Sequence, residues 1–136
     1  YGIAWQHQAH RGTVTGLAIS AKLGVYVSVG VDGVCNVWSL HKPRLLRRLE
    51  NPTGAPYEQV LIATSAPAMI LVRDHRYAYT YSINGALLTK EESETWISPL
   101  IVKDLYAQDT LIYGTVAGEI AFRDAASLEL KNIFPT

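Results

Sequence analysis

Residues 10–40, HRGTVTGLAISAKLGVYVSVGVDGVCNVWSL, constrain the fold of this chain more than any other stretch. A histidine opens the segment and the alternating strand VTGLAIS (14–20) follows. A second strand, VYVSV (25–29), runs into the turn VDG (31–33), and VCNVWSL (34–40) begins at once. Period-two alternation and β-branched content mark strands, and an Asp-Gly turn between two of them marks a hairpin. Three strands in so short a span leave no room for a helix, so the segment builds an antiparallel sheet.

Four polar residues in that sheet have a particular spacing. His10, Ser28, Asp32 and Trp38 stand where a WD-repeat blade, the four-stranded unit of a β-propeller, holds a hydrogen-bonded tetrad. Asp32 in the turn accepts from the His10 imidazole, the second ring nitrogen faces Ser28, and the Ser28 hydroxyl reaches the Trp38 indole N–H. Each group is then buried with a partner. Charge-assisted bonds of this kind are worth roughly 1.5–3 kcal/mol each. The same Ser, His and Asp could be read as a hydrolase triad. That reading needs an exposed serine and an oxyanion hole, whereas Ser28 sits mid-strand with no G-x-S-x-G elbow around it. The sequence therefore predicts an interaction platform, with no catalytic residue and no enzymatic activity.

The unit recurs. VWSL (37–40) matches TYSI (80–83) and FRDA (122–125), which makes Trp38, Tyr81 and Arg123 equivalent at intervals of 43 and 42 residues. A period of about 40–45 residues belongs to WD repeats. Strands are expected at 14–20, 25–29, 34–40 and 45–50; at 59–64, 68–73, 77–83 and 86–90; and at 99–103, 110–115, 119–124 and 128–134. Residues 1–136 thus read as an all-β partial propeller with three four-stranded antiparallel blades near 10–50, 55–90 and 97–134. Asn84-Gly85 and Ala117-Gly118 supply further turns, ENPTGAP (50–56) links the first two blades, and KEESETWISP (90–99) links the last two. The tetrad itself does not recur. Thr53, Leu71 and His75 fall at its positions in the second unit, and Thr95, Tyr113 and Ala117 in the third, so apolar packing alone is expected to hold those blades.

Three blades do not close a ring, since propellers have about 4–8. Two apolar sheet faces are expected at the ends of the arc, to be covered by the remaining blades of a larger propeller or by another chain.

Composition excludes several functions. Twelve Lys and Arg balance twelve Asp and Glu, against general nucleic-acid binding. The single cysteine, Cys35, rules out a disulfide framework within the chain and suits a reducing compartment. No apolar run approaches the ~20 residues of a membrane span, and the opening YGIAWQHQAH has neither the basic start nor the apolar core of a signal peptide. His7, His10, His41 and His75 lack zinc spacing, and GVDG (30–33) has no helix after it to hold phosphate, so no metal or cofactor is expected.

Arg73, Asp74, His75 and Arg76 fall in the turn after the second strand of the second blade, on a rim where partners dock. Arg11, beside His10, faces the same rim. Arg11, Arg73, His75 and Arg76 are the candidate partner-binding residues, suited to a carboxylate or phosphate. Lys42, Arg44, Arg47 and Arg48 invite a membrane-phosphate reading, but Leu49-Glu50 follows where a phosphoinositide motif of the F-R-R-G type has glycine; a solvated outer strand is the better reading. Glu91, Glu92 and Glu94 read as a solvated connector. Tyr77, Tyr79 and Tyr81 share one sheet face by their period of two and read as core against the next blade, not as a nucleic-acid platform.

Three stretches carry a more particular likeness. VYVSVGVDGVCNVWSL (25–40), RLLRRLENP (44–52) and above all YTYSINGALL (79–88) resemble the carboxy-terminal propeller of BEACH-domain, neurobeachin-like proteins. The resemblance runs over most of residues 10–125; no BEACH or pleckstrin-like domain lies within the chain. It implies a large cytoplasmic scaffold, peripheral on membranes, acting in vesicle traffic through protein–protein contacts. The alternative is a WD subunit of a coat, ubiquitin-ligase or chromatin assembly.

Overall fold

The computed structural model describes residues 7–42, 44–64, 68–103 and 108–135. They form twelve strands and, among the described residues, no helix. The first sheet contains β1 (Val14–Ser20), β2 (Val25–Gly30), β3 (Val34–Ser39) and β4 (Leu45–Glu50). The second contains β5 (Tyr57–Ala63), β6 (Met69–Asp74), β7 (Tyr77–Ser82) and β8 (Leu87–Glu92). The third contains β9 (Ile97–Lys103), β10 (Asp109–Gly114), β11 (Glu119–Asp124) and β12 (Leu130–Pro135). Each sheet is an antiparallel meander in chain order.

The expected strands are all present, with shifted ends. β5 and β9 each begin two residues before the alternation becomes regular, because a bulge interrupts their pairing: β5 slips between Tyr57 and Gln59, and β9 carries Ser98 at a φ of 50°. β1 has the same kind of slip between Val14 and Gly16. An extra residue bends and twists a strand, which suits the crowded inner edge of a radial array. There β1 lies against β5 and β5 against β9. Gly16 permits the closest approach: a Cβ on it would stand 3.3 Å from the Gln59 Cα and 2.9 Å from a Val29 methyl.

The sheets pack face to face through the side chains that alternation turns inward. Between the first and second, Val25, Val27, Val29, Cys35 and Val37 meet Tyr57, Val60, Ile70, Val72, Tyr79 and Tyr81. Between the second and third, Leu71 and Ala78 meet Trp96, Leu111, Tyr113 and Ala121. Burying an aliphatic or aromatic side chain in this way stabilises by about 1.5–3 kcal/mol. Tyr79 and Tyr81 are core, as their period implies, and Tyr77 packs half-buried beside them, but they face the preceding blade and not the next one. The opposite face of β7 turns to the third sheet, where the Thr80 hydroxyl donates to the Ala126 carbonyl at 3.4 Å.

The connectors also differ from expectation. Glu91 and Glu92 belong to β8, so the second linker is short, and its Ser93 and Trp96 are buried among the blades. Among the described residues nothing covers the two outermost faces, which are apolar. Leu17 and Ile19, 71% and 68% exposed, mark the free face of the first sheet; Leu100, Val102 and Ile120 mark that of the third.

Candidate functional site

The β2–β3 hairpin and the segment before β1 bring the four tetrad residues together. His10 Nδ1 lies 3.1 and 3.2 Å from the two Asp32 carboxylate oxygens, and its Nε2 lies 2.8 Å from Ser28 Oγ. The Trp38 indole N–H donates to the same Ser28 oxygen at 3.0 Å. A neutral imidazole with its proton on Nδ1 gives every proton in this chain an acceptor, an assignment made from the bonding pattern. Asp32 also accepts the Arg11 N–H at 3.1 Å and the Val34 N–H at 3.2 Å. Burial alone raises a carboxyl pKa, but the Arg11 N–H, the His10 ring and the Val34 N–H outweigh it and hold Asp32 below the ordinary range. Ser28 is 1% exposed and bracketed by an imidazole and an indole.

Gly30 is part of this arrangement, and the sequence offered no signal for it beyond its place before the turn. A Cβ there would stand 2.9 Å from the Thr13 carbonyl, 3.0 Å from His10 Cγ and 3.1 Å from Asp32 Oδ1. The ring and the carboxylate close over the space a side chain would fill.

The second blade has a polar latch where apolar packing alone was expected. Asn51 Nδ2 donates to Asp74 Oδ2 at 2.9 Å and to the Ala55 carbonyl at 3.0 Å. The other Asp74 oxygen accepts the Arg76 and Tyr77 N–H groups at 2.8 and 2.7 Å. Asn51 thus serves Asp74 as His10 serves Asp32. The β6–β7 turn is one residue shorter than the β2–β3 turn, and Asp74 stands at the end of β6, the register place of Gly30, and not in the turn as Asp32 does. The same deletion puts Val72, not Leu71, opposite the third residue of β7, the place Ser28 holds against β3. Burial tends to raise the Asp74 pKa; the Asn51 amide, the two N–H groups and the His75 charge bring it below the ordinary range.

The third blade corrects the same expectation with different chemistry. Arg123, at the station of Trp38, donates to the Tyr113 hydroxyl at 2.8 Å and to the Leu128 carbonyl at 2.7 Å. Tyr113 stacks on Trp96 with ring centroids 4.8 Å apart. The Arg123 and Arg73 guanidiniums lie 5.4 and 5.7 Å from the Trp96 ring centre, within cation–π range. Tyr113 pairs with the third residue of β11 as Ser28 pairs with the third of β3, and its ring carries the hydroxyl further from the strand.

The rim candidates divide. Arg11, His75 and Arg76 are exposed on the edge where the second-to-third-strand turns and the linkers lie. Arg73 is not a rim residue. It lies on β6, is 8% exposed and faces the third sheet. Its guanidinium donates to Gln59 Oε1 at 2.9 Å and to the Ser93 and Trp96 carbonyls at 2.7 and 3.3 Å. The period-two alternation that turns Leu71 inward turns Arg73 inward as well, so it ties the linker to the blade and has no free donor face for a partner. Beside the tetrad the rim carries a cleft of about 250 Å³ lined by Gln8, Ala9, His10, Arg11, Asp32 and Arg48. Among the described residues no three His, Cys, Asp or Glu side chains converge as a metal site requires, and no helix is long and apolar enough to cross a membrane.

Three radial four-stranded meanders, joined at their first strands and left open at both ends, define a partial β-propeller. Solved structures share this architecture. The computationally designed Ika4 protein superposes with a TM-score of 0.69 at 18% identity, over 93% of this chain and 75% of its own. BamB from Moraxella catarrhalis superposes with a TM-score of 0.72 at 19% identity, over 98% of this chain. The chain spans 41% of BamB. At such identities the likeness is one of fold. No protein-family model and no curated protein sequence matches the chain.

Proposed function

We propose that this partial propeller is a non-enzymatic interaction scaffold that reads partners through the rim residues Arg11, His75 and Arg76. The observation that carries the reading is the display of these exposed side chains on segments clamped by buried polar latches. The Asp32 carboxylate holds the Arg11 backbone N–H, and the Asp74 carboxylate holds that of Arg76. Rigid backbone under an exposed cationic side chain lowers the ordering cost of gripping a carboxylate or phosphate. The bracketing of Ser28 on both sides favours a structural tetrad over a nucleophile.

The more particular reading is a BEACH-type scaffold of vesicle traffic, cytoplasmic and peripheral on membranes. It is supported by the wording of residues 25–40 and 79–88, which form the β2–β3 and β7–β8 hairpins. Affinity capture followed by mass spectrometry tests both levels. The wild-type chain is expected to retain small-GTPase regulators and vesicle proteins, and the Arg11→Ala/His75→Ala/Arg76→Ala variant to lose them while keeping its circular dichroism spectrum. Histones, coat subunits or cullin adaptors in their place would overturn the traffic reading. An unchanged set with the triple variant would overturn the rim.

A further inference from the structure

The basic run of the first blade is split by β4 into two surfaces, one of which is a groove. Arg48 pairs across the sheet with Asn36 and joins the cleft beside His10. Arg47 pairs with Val37 on the opposite face, toward the second blade. There Arg44, Leu46 and Arg47 form one wall, Ile83 and Asn84 of the β7–β8 turn form the other, and Val25 and Val37 form the floor. The groove has a volume of about 310 Å³. It opens at the end of the blades away from Arg11, His75 and Arg76, because it is built at the turns that join third to fourth strands.

Three features suit it to a ligand. First, its cations are not neutralised. Residues 10–50 hold six Lys and Arg against two acids, Asp32 and Glu50. Asp32 is engaged by His10, and Glu50 by Arg48 at 3.2 Å. Among the described residues neither Arg44 nor Arg47 has a carboxylate within ion-pair distance. Second, the arginines stand on fixed supports. A Cβ on Gly85, where φ is 91°, would lie 3.4 Å from the Arg47 Cδ, so the turn rests on the Arg47 methylenes. The Arg44 backbone is pinned by bonds to Lys42 and Ser39. Third, Leu46, 39% exposed, with the edges of the nearly buried Val25 and Val37 gives the space between the cations an apolar patch. Among the described residues β4 pairs only with β3, which leaves its outer backbone edge to an extended chain.

We propose that this groove binds an extended peptide segment with carboxylates flanking an aliphatic side chain. The carboxylates meet Arg44 and Arg47, and the aliphatic group fills the floor between them. A flat anionic membrane would meet the charges and leave the apolar floor unused.

The test is fluorescence anisotropy with labelled peptides having Asp or Glu on both sides of a Leu-Leu pair. The wild-type chain is expected to bind. Amide replacement of the acids, alanine replacement of the leucines, and Arg44→Glu/Arg47→Glu are each expected to weaken binding at least about tenfold. Arg48→Glu, on the other face of the sheet, is expected to change it less than about twofold, as is the rim variant Arg11→Ala/His75→Ala/Arg76→Ala. No binding, or binding indifferent to Arg44 and Arg47, would overturn the proposal. So would capture of phosphatidylserine vesicles that needs both arginines and is not competed by the peptide.

Discussion

The Arg123 guanidinium meets the Tyr113 hydroxyl at 2.8 Å in the third blade, as the Trp38 indole N–H meets the Ser28 hydroxyl at 3.0 Å in the first. Both donors are the fifth residue of a third strand, and both acceptors stand on the neighbouring second strand. The contact is preserved in place while both residue types change. In these two blades a part-buried donor–acceptor pair ties the second and third strands on one face, whereas the second blade has Val72 at the acceptor's place. Indole–hydroxyl and guanidinium–phenol pairs make the same tie with different chemistry.

The first blade depends on Asp32. Asp32→Ala leaves His10 Nδ1 and the Arg11 and Val34 N–H groups without their acceptor. The expected loss is about 1–3 kcal/mol in urea unfolding followed by tryptophan fluorescence. An unchanged midpoint would mean that the tetrad contributes nothing net.

Gly30 is expected to tolerate no side chain. Gly30→Ala places a methyl against a backbone carbonyl and the His10 ring, so the cost is about 1–3 kcal/mol even though alanine is the better strand residue. Combined with Asp32→Ala the two losses should be less than additive, because both act through the position of His10. A double-mutant cycle reads this directly.

Arg123→Leu retains apolar bulk and removes both donors. The Tyr113 hydroxyl and the Leu128 carbonyl lose their guanidinium partner, with an expected loss of roughly 1–3 kcal/mol. Arg123→Lys is expected to recover only part of it, since an ammonium cannot match the planar two-donor fork. Full stability in the leucine variant would show that the third blade is held by apolar packing alone.

Acid should loosen all three blades. Asp32, Asp74 and Asp124 each titrate below the ordinary carboxyl value: burial raises each one, and hydrogen bonds outweigh it, in Asp124 from the Ser127 and Ala126 N–H groups. An unfolded aspartate titrates at about 3.9, so between that value and the lower native ones the unfolded chain binds more protons. Stability from these groups is therefore complete above about pH 4 and declines as pH falls through the native values. Thermal unfolding from pH 6 to 2.5 should show the decline, and Asp74→Asn should reduce its slope.

Cys35 is buried, and burial pushes its thiol pKa up to about 12. The thiolate, which is the reacting form, is scarce at neutral pH. Labelling by a thiol-reactive disulfide should therefore follow unfolding of the first blade, with Gly30→Ala accelerating it. Rapid labelling of the folded chain would contradict the packing of Cys35 between the first two sheets.

Much of the fold was legible in the chain itself. Period-two alternation, the turn residues Asp32-Gly33 and Asn84-Gly85, and the 43- and 42-residue spacing of Trp38, Tyr81 and Arg123 specify three four-stranded units. The His10–Ser28–Asp32–Trp38 relay was also legible, because its four residue types have one mutual bonding pattern at that spacing. Local chemistry repeats visibly when the same residues do the same work.

Where different residues do that work, only the tertiary structure decides. Asn51 and Asp74 are unremarkable in sequence, because Asp74 stands at the register place of Gly30, two before that of Asp32, and no alignment of the two blades pairs them with His10 and Asp32. Arg73 looked like a rim cation because it neighbours His75 and Arg76; the side to which a strand turns each residue set it in the joint between blades instead. Arg47 and Arg48 are adjacent in the chain and lie on opposite faces of a sheet. The physical reason is common to all of these. Strand alternation and blade stacking, not proximity in sequence, determine which side chains share an environment, and those contacts form only when separate sheets meet.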